Sequence, residues 1–289
     1  DWAYCGHIDP HGVFAVDLEK SGMRSAICDS VGALTVHEGR LYAIPFYSEG
    51  LFRLADNGAW EACGSPGFRL MSLRSHHGSL FCAANERGGV LITDGDGVWT
   101  SAAALPAEVT QTYSFAVHGS QLHAGTWPDG RVHRIDQGEW CDTGRLGTER
   151  EVMAMASYNG KFYGGTLPLA ELYRLDDDGR PTAWSRIAQL DETPDVEYRR
   201  VWSMATFGGE LYAGLLPSGR VVSMSAGAAV GDDRELSSGW HELEAMRADG
   251  ELRVSIDGVV VARKPADALV LDAETPLRIG SGPMATFVG

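Results

Sequence analysis

A segment of about forty residues is repeated six times along the chain. Each copy has a first marker, which is aromatic or histidine, and a second marker ten positions later. The first markers are Tyr4, Tyr42, Phe81, His123, Tyr163 and Tyr212, and the second are Phe14, Phe52, Leu91, His133, Tyr173 and Val222. Successive first markers lie 38, 39, 42, 40 and 49 residues apart. A period of this length indicates that one small structural unit is stacked repeatedly.

Each copy contains four short apolar runs separated by turns. The first run alternates, as in VMAMASYNG and VWSMATFGG, and a glycine-containing turn leads into the second run, which carries the first marker. The third run carries the second marker, and an Asp-x-Gly-x-Trp turn often precedes the fourth. Alternation with a period of two, bounded by Gly, Asp and Asn, indicates β-hairpins. Four strands per repeat predict an all-β fold, a β-propeller of about six four-stranded blades over residues 1–230.

The repeat gives a structural explanation for several residues that would otherwise suggest chemistry. Cys5 and Cys82 occupy a position that is Ala or Gly in the other copies, so both thiols are predicted to fill the core. Since His123 and His133 hold marker positions, we expect them to be packed. The tryptophans that open the fourth runs are predicted to pack between blades, and they are Trp60, Trp99, Trp140 and Trp184.

The turns DNGAW at 56–60 and DQGEW at 136–140 resemble the Asp-box of sialidase-type and other bacterial-neuraminidase-repeat propellers. The family pattern is Ser-x-Asp-x-Gly-x-x-Trp. Here the gap between Gly and Trp is one residue shorter, and the leading Ser is absent. The resemblance implies that Asp56 and Asp136 stabilise their turns and take no part in catalysis.

The C-terminal segment, residues 231–289, has a different pattern. GWHELEAMRADGELRVSIDGVVVAR from Gly239, followed by PLRIGSGP, resembles part of a laminin-G or concanavalin-A-like jelly roll, over about fifty residues. An alternative keeps these strands in the propeller, because GELRV at 250–254 follows GELYA at 209–213 by 41 residues. Neither the first repeat nor the jelly-roll segment is complete, so we expect the chain to be a module of a larger protein.

Charge and composition exclude several functions. The formal net charge is −15, which disfavours binding to phosphate backbones, so no nucleic-acid partner is expected. No apolar run reaches the roughly 18 residues of a membrane span. The five cysteines are an odd number without a C-x-x-C pair, which argues against a disulfide scaffold or a zinc knuckle. Resemblance to glycan-recognising folds implies an extracellular or cell-surface location.

The strand order predicts where a ligand would bind. The loops between second and third runs share a face with the segments before the first runs, at the mouth of the central channel. The 49-residue copy has its extra length here, in QLDETPDVEYRRVW at 189–202. Arg pairs with carboxylate or sulfate and aromatic rings stack on sugars, which favours an anionic or polyhydroxylated glycan. The predicted ligand-binding residues are Tyr47, Arg69, Arg87, Tyr113, Trp127, Asp129, Arg150, Arg199, Arg200 and Trp202.

The mouth is consistent with three functions. The first is a carbohydrate-binding module. The second is a sialidase-like glycoside hydrolase or a polysaccharide lyase. Its candidate carboxyl groups are those of Glu151, Glu197 and Asp129, and its candidate nucleophile is Tyr198 or Tyr113. Hydrolysis needs two carboxyl groups about 5–9.5 Å apart, and the sialidase resemblance further implies three arginines around one carboxylate, for which Arg69, Arg150 and Arg199 are candidates. The third is a protein-interaction scaffold.

Two short motifs have spacings that metals can use. His7-x-Asp9-x-His11 lies in the first of these loops, and the DDDG run beginning at Asp176 could hold a structural calcium ion. A packed or solvated turn is the simpler explanation of both motifs, so no cofactor is expected.

Overall fold

The computed structural model describes the backbone of residues 2–7, 12–17 and 22–23, and residues 31–85, 88–176, 184–225, 229–232, 236 and 239–266 in full. Within this part of the chain 25 strands form seven antiparallel sheets, so the predicted all-β fold is confirmed. The first sheet contains β1 (Trp2–His7), β2 (Gly12–Asp17) and β3 (Gly22–Met23).

Four sheets have the predicted four strands, in chain order across each sheet. The first of the four contains β4 (Val31–His37), β5 (Arg40–Pro45), β6 (Phe52–Leu54) and β7 (Trp60–Ala62). The second contains β8 (Leu70–His76), β9 (Ser79–Ala84), β10 (Val90–Thr93) and β11 (Trp99–Ser101). The third contains β12 (Gln111–His118), β13 (Gln121–Trp127), β14 (Arg131–Asp136) and β15 (Glu139–Arg145). The fourth contains β16 (Glu151–Tyr158), β17 (Lys161–Leu167), β18 (Glu171–Leu175) and β19 (Trp184–Gln189).

Two further sheets have three strands each among the described residues. One contains β20 (Arg200–Phe207), β21 (Glu210–Leu216) and β22 (Val221–Met224), and the other contains β23 (Leu243–Ala248), β24 (Glu251–Ile256) and β25 (Val259–Pro265). GELRV lies on β24, the central strand of its sheet, as GELYA lies on central β21. This position is the one expected if the propeller pattern continues. The jelly-roll interpretation is not confirmed, and the division at residue 230 stays a prediction.

Tight turns connect the first and second strands of the repeats. Two consecutive residues have positive φ in each turn, for example Asn159 at 47° and Gly160 at 72°, or Glu38 at 47° and Gly39 at 74°. Positive φ at both central positions is the geometry of a type I′ hairpin, whose twist matches that of the strands. The glycine-containing turns seen in the sequence therefore set the hairpin register.

The first strands of successive sheets pack side by side, in the order β4, β8, β12, β16 and β20. Each of them has a bulge near its start, at Gly32, Met71, Tyr113, Met153 and Trp202 respectively. The serine after the bulge joins one sheet to the next, because Ser72 Oγ donates to the Thr112 carbonyl at 3.3 Å and Ser114 Oγ to the Val152 carbonyl at 2.9 Å. The five sheets thus follow one another as blades do.

Burial confirms the structural role of the repeated residues. Cys82 and Ala124 are 0% exposed at the small-residue position, and His123 and His133 are each 2% exposed. Burial lowers the pKa of His123 to about 3, so this ring is neutral. Trp140 Nε1 donates to the Ala103 carbonyl and Trp184 Nε1 to the Thr143 carbonyl, both at 3.0 Å, in the preceding sheets. Trp140 and Trp184 therefore connect neighbouring blades, as predicted. The side chain of Cys5 lies outside the described residues.

The turn in DGDGVW, a looser copy of the Asp-x-Gly-x-Trp pattern, has an aspartate that caps its own backbone. Asp94 Oδ1 accepts the backbone N–H groups of Asp96 at 2.8 Å and Val98 at 3.2 Å. In the turn at 56–60 it is the Asn57 side chain that accepts the Ala59 N–H, at 2.9 Å. Asp136 pairs with Arg134 at 3.5 Å. The turn-stabilising role assigned to Asp56 and Asp136 is thus seen at Asp94, and the sialidase-like repeat is not confirmed.

Candidate functional site at the channel mouth

The first strands all begin at one end of the molecule. In the antiparallel pair β16–β17 the register places Glu151 opposite Leu167, so the start of β16 lies beside the loop that follows β17. The same pairing places Arg200 opposite Leu216 and Gln111 opposite Trp127. We call this end the channel mouth. It is made by the starts of β8, β12, β16 and β20 and by the loops after β5, β13, β17 and β21.

Glu151 has an unusual environment. Its side chain begins β16 and is 3% exposed, and among the described residues its Oε1 has no hydrogen-bond partner. Burial raises the pKa of Glu151 to about 8, although the positive charge of Arg200 acts in the opposite direction. The carboxyl group is therefore mostly protonated at pH 7. A buried polar group without a partner is costly and rare, which makes Glu151 the strongest candidate for ligand contact.

Tyr113 lies within electrostatic range of Glu151, Arg200 and Arg69. Burial first, and then the Glu151 charge, raises the pKa of Tyr113 to about 12, whereas Arg200 and Arg69 act to lower it. Arg69 directly precedes β8, Tyr113 forms the bulge of β12, and Arg200 begins β20. Four successive sheets therefore each contribute one predicted site residue to a single cluster.

Aromatic rings surround this cluster. The Arg150 guanidinium lies 4.4 Å from the Trp127 ring centroid, and the Arg200 guanidinium lies 5.5 Å from that of Tyr198. These separations are typical of cation–π contacts. Trp127 ends β13 and Arg150 precedes β16, whereas Tyr198 precedes β20 and Arg200 begins it. Two arginines of the mouth are thus held against ring faces.

The structure adds Phe46 to the site. Its ring centroid lies 6.2 Å from that of Trp202 and 4.7 Å from that of Tyr47, and its carbonyl accepts a hydrogen bond from Arg69 at 3.2 Å. Phe46 follows β5 directly, in a loop that sequence analysis assigned to this face. Its apolar side chain gave no chemical signal, so the sequence analysis missed it.

Several predicted site residues have structural contacts instead. Arg199 Nε donates to the Thr193 carbonyl at 2.8 Å, which fixes the inserted segment 189–202. Asp129 accepts the Thr126 hydroxyl at 2.6 Å inside its own loop. Glu197 is exposed and hydrogen-bonds Tyr198, raising the pKa of that phenol. Arg87, Asp9 and His11 lie outside the described residues.

Two buried carboxylates hold the mouth loops in place. Glu149 is 1% exposed, and its Oε2 accepts the Thr166 hydroxyl at 2.6 Å and the Leu169 N–H at 3.0 Å. Asp191, 0% exposed, accepts the Thr193 N–H at 2.9 Å and the Ser218 N–H at 3.2 Å. Burial acts to raise the pKa of Asp191, but hydrogen bonds from Ser218 and Thr193 outweigh it and the pKa is lowered. We call Glu149 and Asp191 the loop anchors.

Replacing Glu151 with Gln is expected to remove a pH dependence of stability. The raised pKa means that, between about pH 5 and 8, the folded protein holds a proton that the unfolded chain releases, so wild-type stability falls as pH rises through this window. Glu151→Gln lacks this loss. As the pH rises from 5 to 8.5, its unfolding free energy should therefore increase by about 2–4 kcal/mol relative to that of wild type. Urea unfolding at three pH values measures this. Glu139→Gln, at an exposed turn, is the matched control, and a pH-independent difference for Glu151→Gln would contradict the assignment.

Two clefts lie away from the Glu151 cluster. One, of about 420 Å³, is lined by residues of 189–193 with Ser218 and Arg220 beside the Asp191 anchor. The other, of about 330 Å³, lies at the opposite end, between the turn at His77 and that at Gln137. Neither contains a predicted site residue.

Metal ligands and membrane spans were also considered. Within the described ranges, no three His, Cys, Asp or Glu side chains are placed to hold one metal ion. Asp176 pairs with Arg174 at 2.7 Å, and the rest of the proposed calcium run lies outside those ranges. In the same part of the chain, none of the residues forms a helix of the length and hydropathy that a bilayer crossing requires.

Comparisons with known proteins identify the fold. No protein-family model and no curated protein matches the sequence. Virginiamycin B lyase from Staphylococcus aureus is similar in structure, with a TM-score of 0.58 and 10% identity over 90% of this chain and 93% of that one. The extracellular domain of a one-component system from B. thetaiotaomicron has a TM-score of 0.60 and 12% sequence identity, over 78% of this chain and 31% of that one. A chain of the nidogen/laminin complex has a TM-score of 0.58 and 8% identity, over 77% of this chain and 89% of that one.

These identities show the fold and nothing finer. Several four-stranded antiparallel sheets accompany the similarity. The chain therefore has the architecture of the β-propeller-like proteins.

Proposed function

We propose that the protein is an extracellular or cell-surface glycan-binding β-propeller module, which binds sugar at the channel mouth. The observation that carries the proposal is the buried Glu151 carboxyl group, whose Oε1 has no partner among the described residues. A ligand hydroxyl would supply the missing hydrogen bond. The proposed ring is about six blades, with the C-terminal segment adjoining it.

The surroundings of Glu151 support a sugar ligand. Tyr113 and Trp202 are half-buried, so each has a packed side and a side that a ligand can reach. Aromatic faces pack against the apolar C–H faces of sugar rings, and guanidinium groups donate to their hydroxyl and carboxylate oxygens. Pre-formed clefts with a few convergent polar groups are typical of small-ligand sites.

A glycan array with matched variants tests this proposal. Trp202→Ala should weaken binding of the wild-type hits at least tenfold, whereas Trp202→Phe should retain most of it. Trp240 is 96% exposed on the C-terminal segment and provides the competing location. Trp240→Ala should bind as wild type does. Absence of any hit, or loss with Trp240→Ala alone, would refute binding at the mouth.

A glycoside hydrolase or polysaccharide lyase is the second candidate. The raised pKa keeps Glu151 protonated near neutral pH, as a general acid requires. Tyr198, hydrogen-bonded to Glu197, would be the nucleophile of a sialidase-like reaction. Incubating each array hit with protein and analysing the products by mass spectrometry separates the two candidates. Cleavage that Glu151→Gln abolishes would establish the enzyme, and intact glycan would leave binding as the function.

A further inference from the structure

The charge arrangement of the mouth differs from that of the protein as a whole. The chain carries a net charge of −15, yet Arg69, Arg150 and Arg200 come together at the mouth. Within the described ranges neither Arg150 nor Arg200 has a carboxylate at ion-pair distance, and both contact ring faces instead. Cations held on aromatic rings without a counter-ion leave a positive region that an anion can neutralise.

Glu151 controls how much positive charge Arg200 offers a ligand in this region. When its carboxyl group is protonated, the guanidinium of Arg200 is free to bind an anion. When it ionises, a carboxylate appears beside Arg200, neutralises that charge and repels any ligand carboxylate. The carboxyl group is 3% exposed, so solvent would screen this change poorly.

The groups around Glu151 come from several elements. β17 places the uncharged Leu167 opposite it, β12 contributes Tyr113, whose pKa is raised to about 12, and β20 contributes Arg200. On its own segment the preceding residue is Arg150, and further along lies Glu149, which accepts hydrogen bonds from the loop after β17. Glu197 is exposed on the segment before β20. Burial also raises the pKa of Glu149, so the Glu151→Gln variant is needed to assign a pH dependence to Glu151.

We propose that the ligands of the channel mouth are acidic sugars, and that a protonated Glu151 is required to bind them. This inference rests on the proposed glycan-binding function and adds the ligand class and its regulation by pH. The Glu151 O–H donates to a ligand oxygen while Arg200, Arg150 and Arg69 bind the sugar carboxylate. Raising the pH releases the ligand.

Isothermal titration calorimetry with two matched probes tests the inference. The probes are a uronic-acid tetrasaccharide and the same tetrasaccharide with its carboxyl groups reduced to alcohols. Wild type should bind the acidic probe about tenfold more weakly at pH 9 than at pH 7, because about one molecule in ten then keeps the Glu151 proton. Glu151→Gln, which stays neutral, should bind it equally at both pH values. The reduced probe should bind at least tenfold more weakly than the acidic one at pH 7.

Each failure has a separate meaning. Equal affinity for the two probes, or a loss at pH 9 that persists in Glu151→Gln, overturns the inference and leaves glycan binding intact. Binding of neither probe also overturns it, and the glycan array then decides the proposed function by itself. Glu139→Gln should follow wild type throughout, and thermal denaturation of each variant at both pH values ensures that folded proteins are compared.

Discussion

Gly165→Ala is expected to destabilise the protein by about 2–4 kcal/mol, which lowers Tm by about 5 °C or more. A Cβ at Gly165 would lie 2.4 Å from Val201 Cγ1 and 2.5 Å from Val201 Cβ. Val201 is 0% exposed and belongs to the next blade, and its β-branched side chain has little freedom to move. The added methyl group must therefore push two blades apart.

The equivalent glycine of the following sheet is the matched control. A Cβ at Gly214 would meet only the Ser203 hydroxyl, at 2.9 Å, and this side chain is exposed and can rotate. Gly214→Ala should therefore stay within about 1 kcal/mol of wild type. Urea and thermal unfolding measure both variants. Equal effects at the two positions would show that contact between blades does not decide the requirement for glycine.

Glu149→Ala should cost about 3 kcal/mol and loosen the mouth loop after β17. The substitution removes the acceptor of the Leu169 N–H and one of two acceptors of the Thr166 hydroxyl, which also lies 3.0 Å from the Glu171 carbonyl. Leaving a buried donor without its partner costs about 1–3 kcal/mol. Glu149→Gln keeps an oxygen at the same position, so its cost should be about 1 kcal/mol.

Hydrogen exchange and limited proteolysis locate the effect of Glu149→Ala. Faster exchange is expected in residues 166–170, and protection of the loop held by Asp191 should be unchanged, because that anchor acts on a different sheet. Glu139→Ala, at an exposed turn, provides the baseline. If Glu149→Ala and Glu149→Gln were equally destabilising, the negative charge and not the hydrogen bonds would have to be the cause.

Much of the fold could be predicted from periodicity. The forty-residue repeat, the alternation within each run and the paired turn residues set strand order and hairpin register, since these depend on local sequence. The small-residue position of Cys82 and the packed His123 also followed, because every repeat places the same position in the same environment. The residue that caps each of these turns could not be predicted, since Asn57 provides at one turn the side-chain cap that Asp94 provides at another.

The sequence predicted at which end of the molecule the site lies, but not which residues there form it. Strand order put Tyr113, Glu151 and Arg200 at one end of the molecule, and the structure brings them into one cluster. The sequence did not distinguish Arg199, which holds the inserted segment through Thr193, from its neighbour Arg200. Nor did it distinguish Glu149, a loop anchor, from Glu151, two residues later.

The sequence by itself determined the repeated unit, the strand content and the end at which loops gather, because these follow from patterns that span a few residues. Only the tertiary structure decided what each polar residue does there. Whether a carboxyl group is satisfied, as in Glu149, or buried without a partner, as at Oε1 of Glu151, depends on which distant residues the fold places beside it. The Leu169 N–H that satisfies Glu149 lies 20 positions along the chain, and no local pattern records such a contact.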